Sequence, residues 1–355
     1  MAEQRNKHLL SERERLILLN NIYIAHPQSQ EILKKMQRAH RSKDISPEPK
    51  SMSIIGPTGS GKSTVIKKYM EQHPPSIKAK SSQLTIFNAV IPSDSTPRKF
   101  IRSLLTALLA QISNCKPQDV PVNLVNDQDS DTTKLRFYKY LQDSGVELII
   151  LDEFQHLISN KTDSSNKVLL ELAKTIKVMI IETGIPIIMV GTGRASIVFD
   201  VDPEVSRRFH ASVEMRPFMI SDDDNFKTFR KFLAEVDKLM PFETLSKLAD
   251  KELAIRLYAA SNGFIDDIMR IIHAAGEEAI EEQASCISLE YLAEAFENAP
   301  GKNQTAEGNP FRTPINKVMS WRCIQDAYKG IVTSSDTQGP QKVRRKSTQL
   351  VKDIF

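Results

Sequence analysis

Gly56-Pro57-Thr58-Gly59-Ser60-Gly61-Lys62-Ser63-Thr64 follows the run Met52–Ile55, and its reading decides the fold. The spacing is G-x-x-x-x-G-K-S/T, with Gly56, Gly61, Lys62 and Ser63 at the defined positions and a predicted strand in front. Glycine at 56, 59 and 61 admits backbone angles that side-chained residues resist. Successive N–H groups can then turn inward around an anion at the start of a helix, whose dipole also favours negative charge there. Lys62 adds a point charge for the outer phosphates, and the Ser63 hydroxyl is suited to ligate magnesium. The predicted ligand is ATP with Mg2+, cradled by residues 56–64. A chance glycine loop at a strand-to-helix turn is the competing explanation, and the next motif weakens it.

That motif is Val146–Leu151, a short apolar run ending in Asp152-Glu153, which reads as a buried parallel strand delivering two acids to its C-terminal edge. Asp152 is expected to hold the magnesium and Glu153 to act as general base on the attacking water. A further buried strand, Pro186–Val190, ends in Gly191-Thr192-Gly193. Thr192 there is either a polar sensor of the terminal phosphate or plain turn chemistry. Downstream, Asp202–Phe209 places Arg207 and Arg208 before a short strand, 210–215. Either they form an arginine finger that reaches the phosphate held by a neighbouring subunit, or they make surface ion pairs with Asp202 or Glu204.

Between these motifs, residues 9–42 read as helices broken near Pro27, the Lys62 helix as running to about His73, and 84–91 as the second strand. Helices are expected at 96–112, 132–143 and 165–181. From Ser221 the pattern becomes consecutive amphipathic helices at about 222–239, 244–260, 264–283 and 288–298, a small lid bundle. Ser261-Asn262-Gly263-Phe264 opens the third of these, but Arg270 comes late for a phosphate-contacting arginine. The expected division is an N-terminal helical segment 1–50, an ATPase core 51–220, a lid 221–299 and a basic, partly disordered tail 300–355. The tail shows helical period only at about 315–330 and holds the cluster Lys342–Lys346, and Asn309-Pro310-Phe311 and Trp321 are candidate partner anchors unless Trp321 packs on the lid.

Lys and Arg outnumber Asp and Glu by ten to six over residues 1–50 and by ten to four over 301–355, so basic ends flank a net acidic middle. Such ends suit nucleic acid or an acidic partner, or are simply solvated. Cys115, Cys286 and Cys323 are widely spaced, which argues against a disulfide framework or structural zinc and fits a reducing cytoplasm. The charged N-terminus and the lack of any apolar run near 18 residues argue against a signal peptide and a membrane span.

GPTGSGKST, LIILDEFQHL with His156 after the acids, MVGTG and DPEVSRRF resemble the TniB/TnsC group of AAA+ transposition regulators, related to the MuB and IstB target-selection ATPases. LSERERLILLNNIYIAHPQSQEIL and STPRKFIRSLLTALL carry the same likeness, which extends to about residue 298. The resemblance implies an α/β fold: a P-loop AAA+ three-layer core around a parallel sheet, then the lid. It also implies a homo-oligomer, ring or filament, that assembles with ATP on double-stranded DNA in the bacterial cytoplasm. Such an assembly marks a target and recruits or activates a transposase, alongside a target-selection protein, and hydrolysis reshapes it. DNA contact is expected at phosphates, through Arg98, Lys99 and Arg102 and through Lys134 and Arg136, unless these are ordinary solvated helix faces. An AAA+ helicase loader or protein remodeller is the alternative. A replication initiator fits less well, because no segment the size of a DNA-binding domain is read after the lid.

Overall fold

A computed structural model of the chain describes residues 10–78, 81–93, 96–125, 130–157, 164–193, 199, 202–299 and 307–330. Two compact units form: one spans His26–Arg216, and the other joins the segment up to Ala25 with the chain from Pro217 onward.

The first unit is built on five parallel strands, β1 (Ser51–Ile55), β4 (Ile86–Val90), β5 (Leu148–Asp152), β6 (Ile187–Gly191) and β7 (Phe209–Glu214), in the order β4-β5-β6-β1-β7. A two-stranded hairpin, β2 (Ser76–Lys78) with β3 (Ser81–Gln83), stands apart from it. The central strands are near-continuous apolar runs because helices cover both faces, and Leu148–Leu151 and Ile187–Val190 are buried throughout. The chain passes from β1 to the far edge of the sheet and returns strand by strand to β6, before β7 adds on the other side of β1. The ends of β1, β6 and β5 therefore lie side by side, at the point where strand order reverses and open α/β sheets bind ligands.

The covering helices are α2 (Pro27–Ile45), α3 (Lys62–Glu71), α4 (Pro97–Ile112), α6 (Ser130–Asp143) and α7 (Ser164–Thr183), with a short α5 (Val122–Val125) between α4 and α6. α4 starts where the sequence indicated. Thr96 accepts from the Lys99 amide, Pro97 occupies the first turn, and Phe100, Ile101, Leu104, Leu105 and Leu108 form the buried stripe. α2 belongs to this unit, because His40 Nδ1 lies 2.9 Å from the Tyr69 hydroxyl of α3 and Lys43 donates to the Val146 carbonyl at 2.9 Å.

α1 (Glu12–Asn20) packs instead in the second unit, so the stretch read as one N-terminal segment, 1–50, is divided between the two. Arg15 donates to the carbonyls of Pro241 and Ala284, and Leu19 sits so close to Gly276 that a Cβ there would come within 2.8 Å of its Cδ2. The helices expected as a lid are Asp223–Leu239, Lys251–Ser261, Ile265–Glu281 and Leu289–Glu297, all in the second unit. The second starts later than its apolar pattern implied. The buried Asp237 carboxylate accepts from the amides of Ser246 and Leu248 at 2.8 and 3.1 Å, which holds that stretch in a turn.

The helical period near 315–330 is matched, but the described part of the tail is not a free segment. Residues 307–330 fold onto the lid as two short helices, Ile315–Met319 and Arg322–Tyr328. Phe311 is 3% exposed and Trp321 2%, both inside the lid core, so neither is available as a partner anchor. The buried Arg256 clasps this segment by donating to the carbonyls of Pro310 and Thr313 while pairing with Glu252 at 2.8 Å. The basic cluster 342–346 lies outside the described residues. No helix among them is long and apolar enough to cross a membrane.

Candidate nucleotide site

The loop between β1 and α3 is shaped by close approach as much as by φ. The Gly56 amide donates to the Gly191 carbonyl at 3.1 Å, and a Cβ on Gly56 would fall 2.3 Å from the Met215 carbonyl oxygen. Gly59 and Gly61 have φ of 80° and 95°, where L side chains are disfavoured. Pro57 and Thr58 complete the arch, closed by the Ser60 amide on the Pro57 carbonyl at 3.3 Å. The Ser60 hydroxyl is buried without a hydrogen-bond partner among the described residues. Lys62 opens α3, and its ammonium donates to the carbonyls of Gly56 and Pro57, each at 2.8 Å. Ser63 and Thr64 follow in the first turn, both exposed. A lysine and an orphaned hydroxyl at the start of α3 form a donor set of the kind that receives phosphate oxygens.

The acids stand two strands away, across β6. Ser63 Oγ lies 3.4 Å from Asp152 Oδ2, pairing a hydroxyl with a carboxylate, the hard oxygen donors magnesium prefers. Burial pushes the Asp152 carboxyl up, and the neighbouring Glu153 adds to this. The Glu153 amide, Lys62 and Ser63 pull the other way. Glu153 has a φ of 57°, unusual for a side-chained residue. Its carboxylate accepts from the Gln155 side-chain amide, and His156 Nε2 stands 3.9 Å away. Gln155 Oε1 in turn accepts from the Thr192 backbone amide at 3.0 Å, and His156 Nδ1 contacts the Ile91 carbonyl at 2.9 Å. Thr192 follows directly on Gly191, whose carbonyl holds Gly56, so the phosphate loop, the two acids and Thr192 share one end of the sheet.

Arg207 and Arg208 lie elsewhere. They close a short helix, α8 (Pro203–Arg208), that runs into the N-terminal end of β7, whereas the phosphate loop leaves the C-terminal end of its parallel neighbour β1. The six residues of β7 separate the arginines from their own loop by on the order of 15–20 Å. The carboxylates expected to neutralise them are otherwise engaged. Glu204 pairs with Lys177 at 2.6 Å, and Asp202 caps α8 by accepting from the Glu204 amide at 2.8 Å. Arg207 is exposed and Arg208 half-buried, and among the described residues neither makes an ion pair. Arg270, in the lid, is tied to Asp267 at 2.6 Å.

The two groups of candidate DNA-contacting residues are only partly brought together. Arg98 and Lys134 line one groove of about 690 Å³ between α4, α6 and α7, joined there by Lys174, which the sequence pattern does not single out. Lys134 is also paired with Asp131 at 2.9 Å. Lys99, Arg102 and Arg136 are not part of that groove.

Comparisons with known proteins agree with this architecture. The chain is similar to the Orc1 protein of Aeropyrum pernix in complex with DNA, with a TM-score of 0.51 at 16% identity over 81% of this chain and 70% of that one. It is similar to the Orc2 protein of the same organism in its ADPNP–ADP complexes, with a TM-score of 0.53 at 15% identity over 80% and 72%. Cdc6p from Pyrobaculum aerophilum gives 0.52 at 12% identity over 81% and 72%. At such identities the likeness is one of fold, the P-loop AAA+ α/β fold. No curated protein matches the chain. A family model described as bacterial TniB protein matches residues 16–217, more than half the length, and on that match the chain belongs to the TniB family.

Proposed function

We propose that the chain is an ATPase that regulates DNA transposition, assembling with ATP on double-stranded DNA and engaging a transposase and a target-selection protein. The observation that carries this reading is the separation of the catalytic groups. Glu153, Asp152, Lys62 and Thr192 stand at one end of the sheet, and Arg207 and Arg208, without ion-pair partners among the described residues, at the other. A second copy is then needed to complete the site.

In the proposed mechanism Lys62 exchanges the Gly56 and Pro57 carbonyls for the outer phosphates, and the loop 56–64 surrounds them, its amides from Gly61 to Thr64 at the start of α3 facing the anion. Ser63 and Asp152 would hold Mg2+, which would supply charge neutralisation at the terminal phosphates. Glu153 orients the attacking water and accepts its proton, and Thr192 contacts the terminal phosphate. Arg208, with Arg207, reaches in from the neighbouring subunit and stabilises charge developing on the transferred group, a contribution of about 10³–10⁵ in rate for arginine fingers. The groove with Arg98, Lys134 and Lys174 faces DNA phosphates, with Lys99, Arg102 and Arg136 as outlying contacts. Turnover that depends on DNA separates this reading from a remodeller driven by a protein substrate.

The test is negative-stain microscopy with a slowly hydrolysed ATP analogue, with and without duplex DNA, beside Lys62→Ala and Glu153→Gln. Rings or filaments that need both ligands, are lost in Lys62→Ala and persist with ATP in Glu153→Gln support the proposal. DNA-independent hexamers favour the remodeller, and monomers throughout overturn the shared-site assignment.

A further inference from the structure

The loop that carries Glu153 is stitched to the strands on both sides of it, and the two stitches differ. His156 fastens the loop to the end of β4 through the Ile91 carbonyl and only approaches Glu153, at 3.9 Å. Gln155 does more: its NH2 group donates to the Glu153 carboxylate while its carbonyl oxygen accepts from the Thr192 amide at 3.0 Å. A primary amide donates only from its NH2 end and accepts only at its carbonyl end, so these partners fix which way round it sits. The bridge spans from the acid at the end of β5 to the polar residue at the end of β6. Glu153 meanwhile holds a φ of 57°, a sparsely populated conformation for a side-chained residue that persists only where surrounding contacts over-determine it.

We propose that Gln155 is a positioning residue that ties Glu153 to the Thr192 strand end, so that the general base takes its place only together with the end of β6. The inference rests on the ATPase reading above. Gln155 does not itself touch the reacting atoms. It restrains one carboxylate oxygen of Glu153 through its NH2 group and leaves the other for the water. Because the Thr192 amide is part of the same bridge, a displacement of the β6 end is transmitted to Glu153 through a single side chain. Well-oriented catalytic groups lose about 10²-fold on misplacement by an ångström, which sets the expected scale of effect.

Two substitutions separate the halves of the bridge. Gln155→Ala removes both hydrogen bonds. Gln155→Glu keeps an acceptor for the Thr192 amide but replaces the donor facing Glu153 with a second negative charge. Hydrogen exchange at the Thr192 amide, read in the protein without nucleotide, should quicken at least 10-fold in Gln155→Ala and stay near wild type in Gln155→Glu. The amides of Met189 and Val190 should be unchanged in both. In steady-state hydrolysis both variants should lose about 10–100-fold in kcat with KM and the Kd for a fluorescent ATP analogue within threefold of wild type. Unchanged Thr192 exchange in Gln155→Ala, unchanged kcat in either variant, or a parallel loss of nucleotide affinity and thermal stability each overturns the inference. A wild-type protein that binds but never hydrolyses ATP defeats the ATPase reading instead, and in that case the exchange pattern still decides whether the bridge exists.

Discussion

Gly56 illustrates how a motif residue is fixed by something other than the ligand it serves. Its φ is ordinary, yet a methyl group there would meet the Met215 carbonyl at 2.3 Å, and that oxygen belongs to backbone leaving β7. Gly56→Ala is therefore expected to force apart β1 and the exit of β7, costing about 1–3 kcal/mol of stability in thermal or urea unfolding, alongside weaker nucleotide binding. A variant as stable as wild type would show that the strand ends yield freely. His26 offers a second test at this scale. Burial drives its imidazole down from the ordinary 6.5 to about 4, so the folded protein disfavours the proton that the unfolded chain accepts. The stabilisation of the neutral ring is complete above pH 6.5 and is lost as pH falls towards 4, because there the unfolded state binds more protons. Wild type should thus lose about 1–3 kcal/mol more stability across that window than His26→Phe, and parallel pH–stability curves would contradict the burial argument. What was legible at this scale was what is contiguous: the loop 56–64, Asp152 and Glu153 can be read from order alone. Gln155 was not, since its significance lies in Thr192, which is distant in the chain and reaches it only once β5 and β6 pair.

Elements were legible where one periodicity acts without competition. α4 follows its cap, its proline and its apolar stripe, and the short β-branched runs of β5 and β6, bounded by turn residues, fit a strand covered on both faces. The exceptions have identifiable causes. The lid helix predicted from residue 244 begins at Lys251 because a carboxylate on the preceding helix, Asp237, takes the amides of Ser246 and Leu248 for itself. The tail's helical period at about 315–330 is legible, but not its partner: Phe311, Val318, Trp321 and Ile324 find a core that only the assembled helices of the second unit provide. The groove between α4, α6 and α7 is likewise a property of three helices, which is why Lys174 does not stand out in the sequence. If that groove meets DNA, Arg98→Ala, Lys134→Ala and Lys174→Ala together should weaken duplex binding equally across sequences. They should also reduce the slope of log K against log salt by about 0.9 for each DNA phosphate that is no longer neutralised. An unchanged slope in fluorescence-anisotropy titrations would assign DNA binding to another surface.

At the scale of the whole molecule, the proposed site draws on two ends of one sheet. The β1–β7 pairing holds Arg207 and Arg208 at the end of the sheet opposite the phosphate loop, with Glu204 committed to Lys177 and Asp202 to the α8 cap. Sequence order suggested that these arginines act on another subunit; the parallel register supplies a reason why they cannot act on their own. The number of copies and their arrangement do not follow from one chain's sequence, because they depend on surfaces whose pattern is set by the partner. The account's central claim is that the site is shared between copies, and a mixing experiment tests it most directly. Glu153→Gln retains the arginines but lacks the base; Arg207→Ala with Arg208→Ala retains the base but lacks the arginines. Each preparation alone, with ATP and duplex DNA, should hydrolyse at least 10²-fold more slowly than wild type. Mixing them should restore activity, since some interfaces then combine one intact loop with one intact arginine pair. A mixture that stays silent while both variants bind ATP and DNA, or an arginine variant that turns over like wild type by itself, would contradict the shared site.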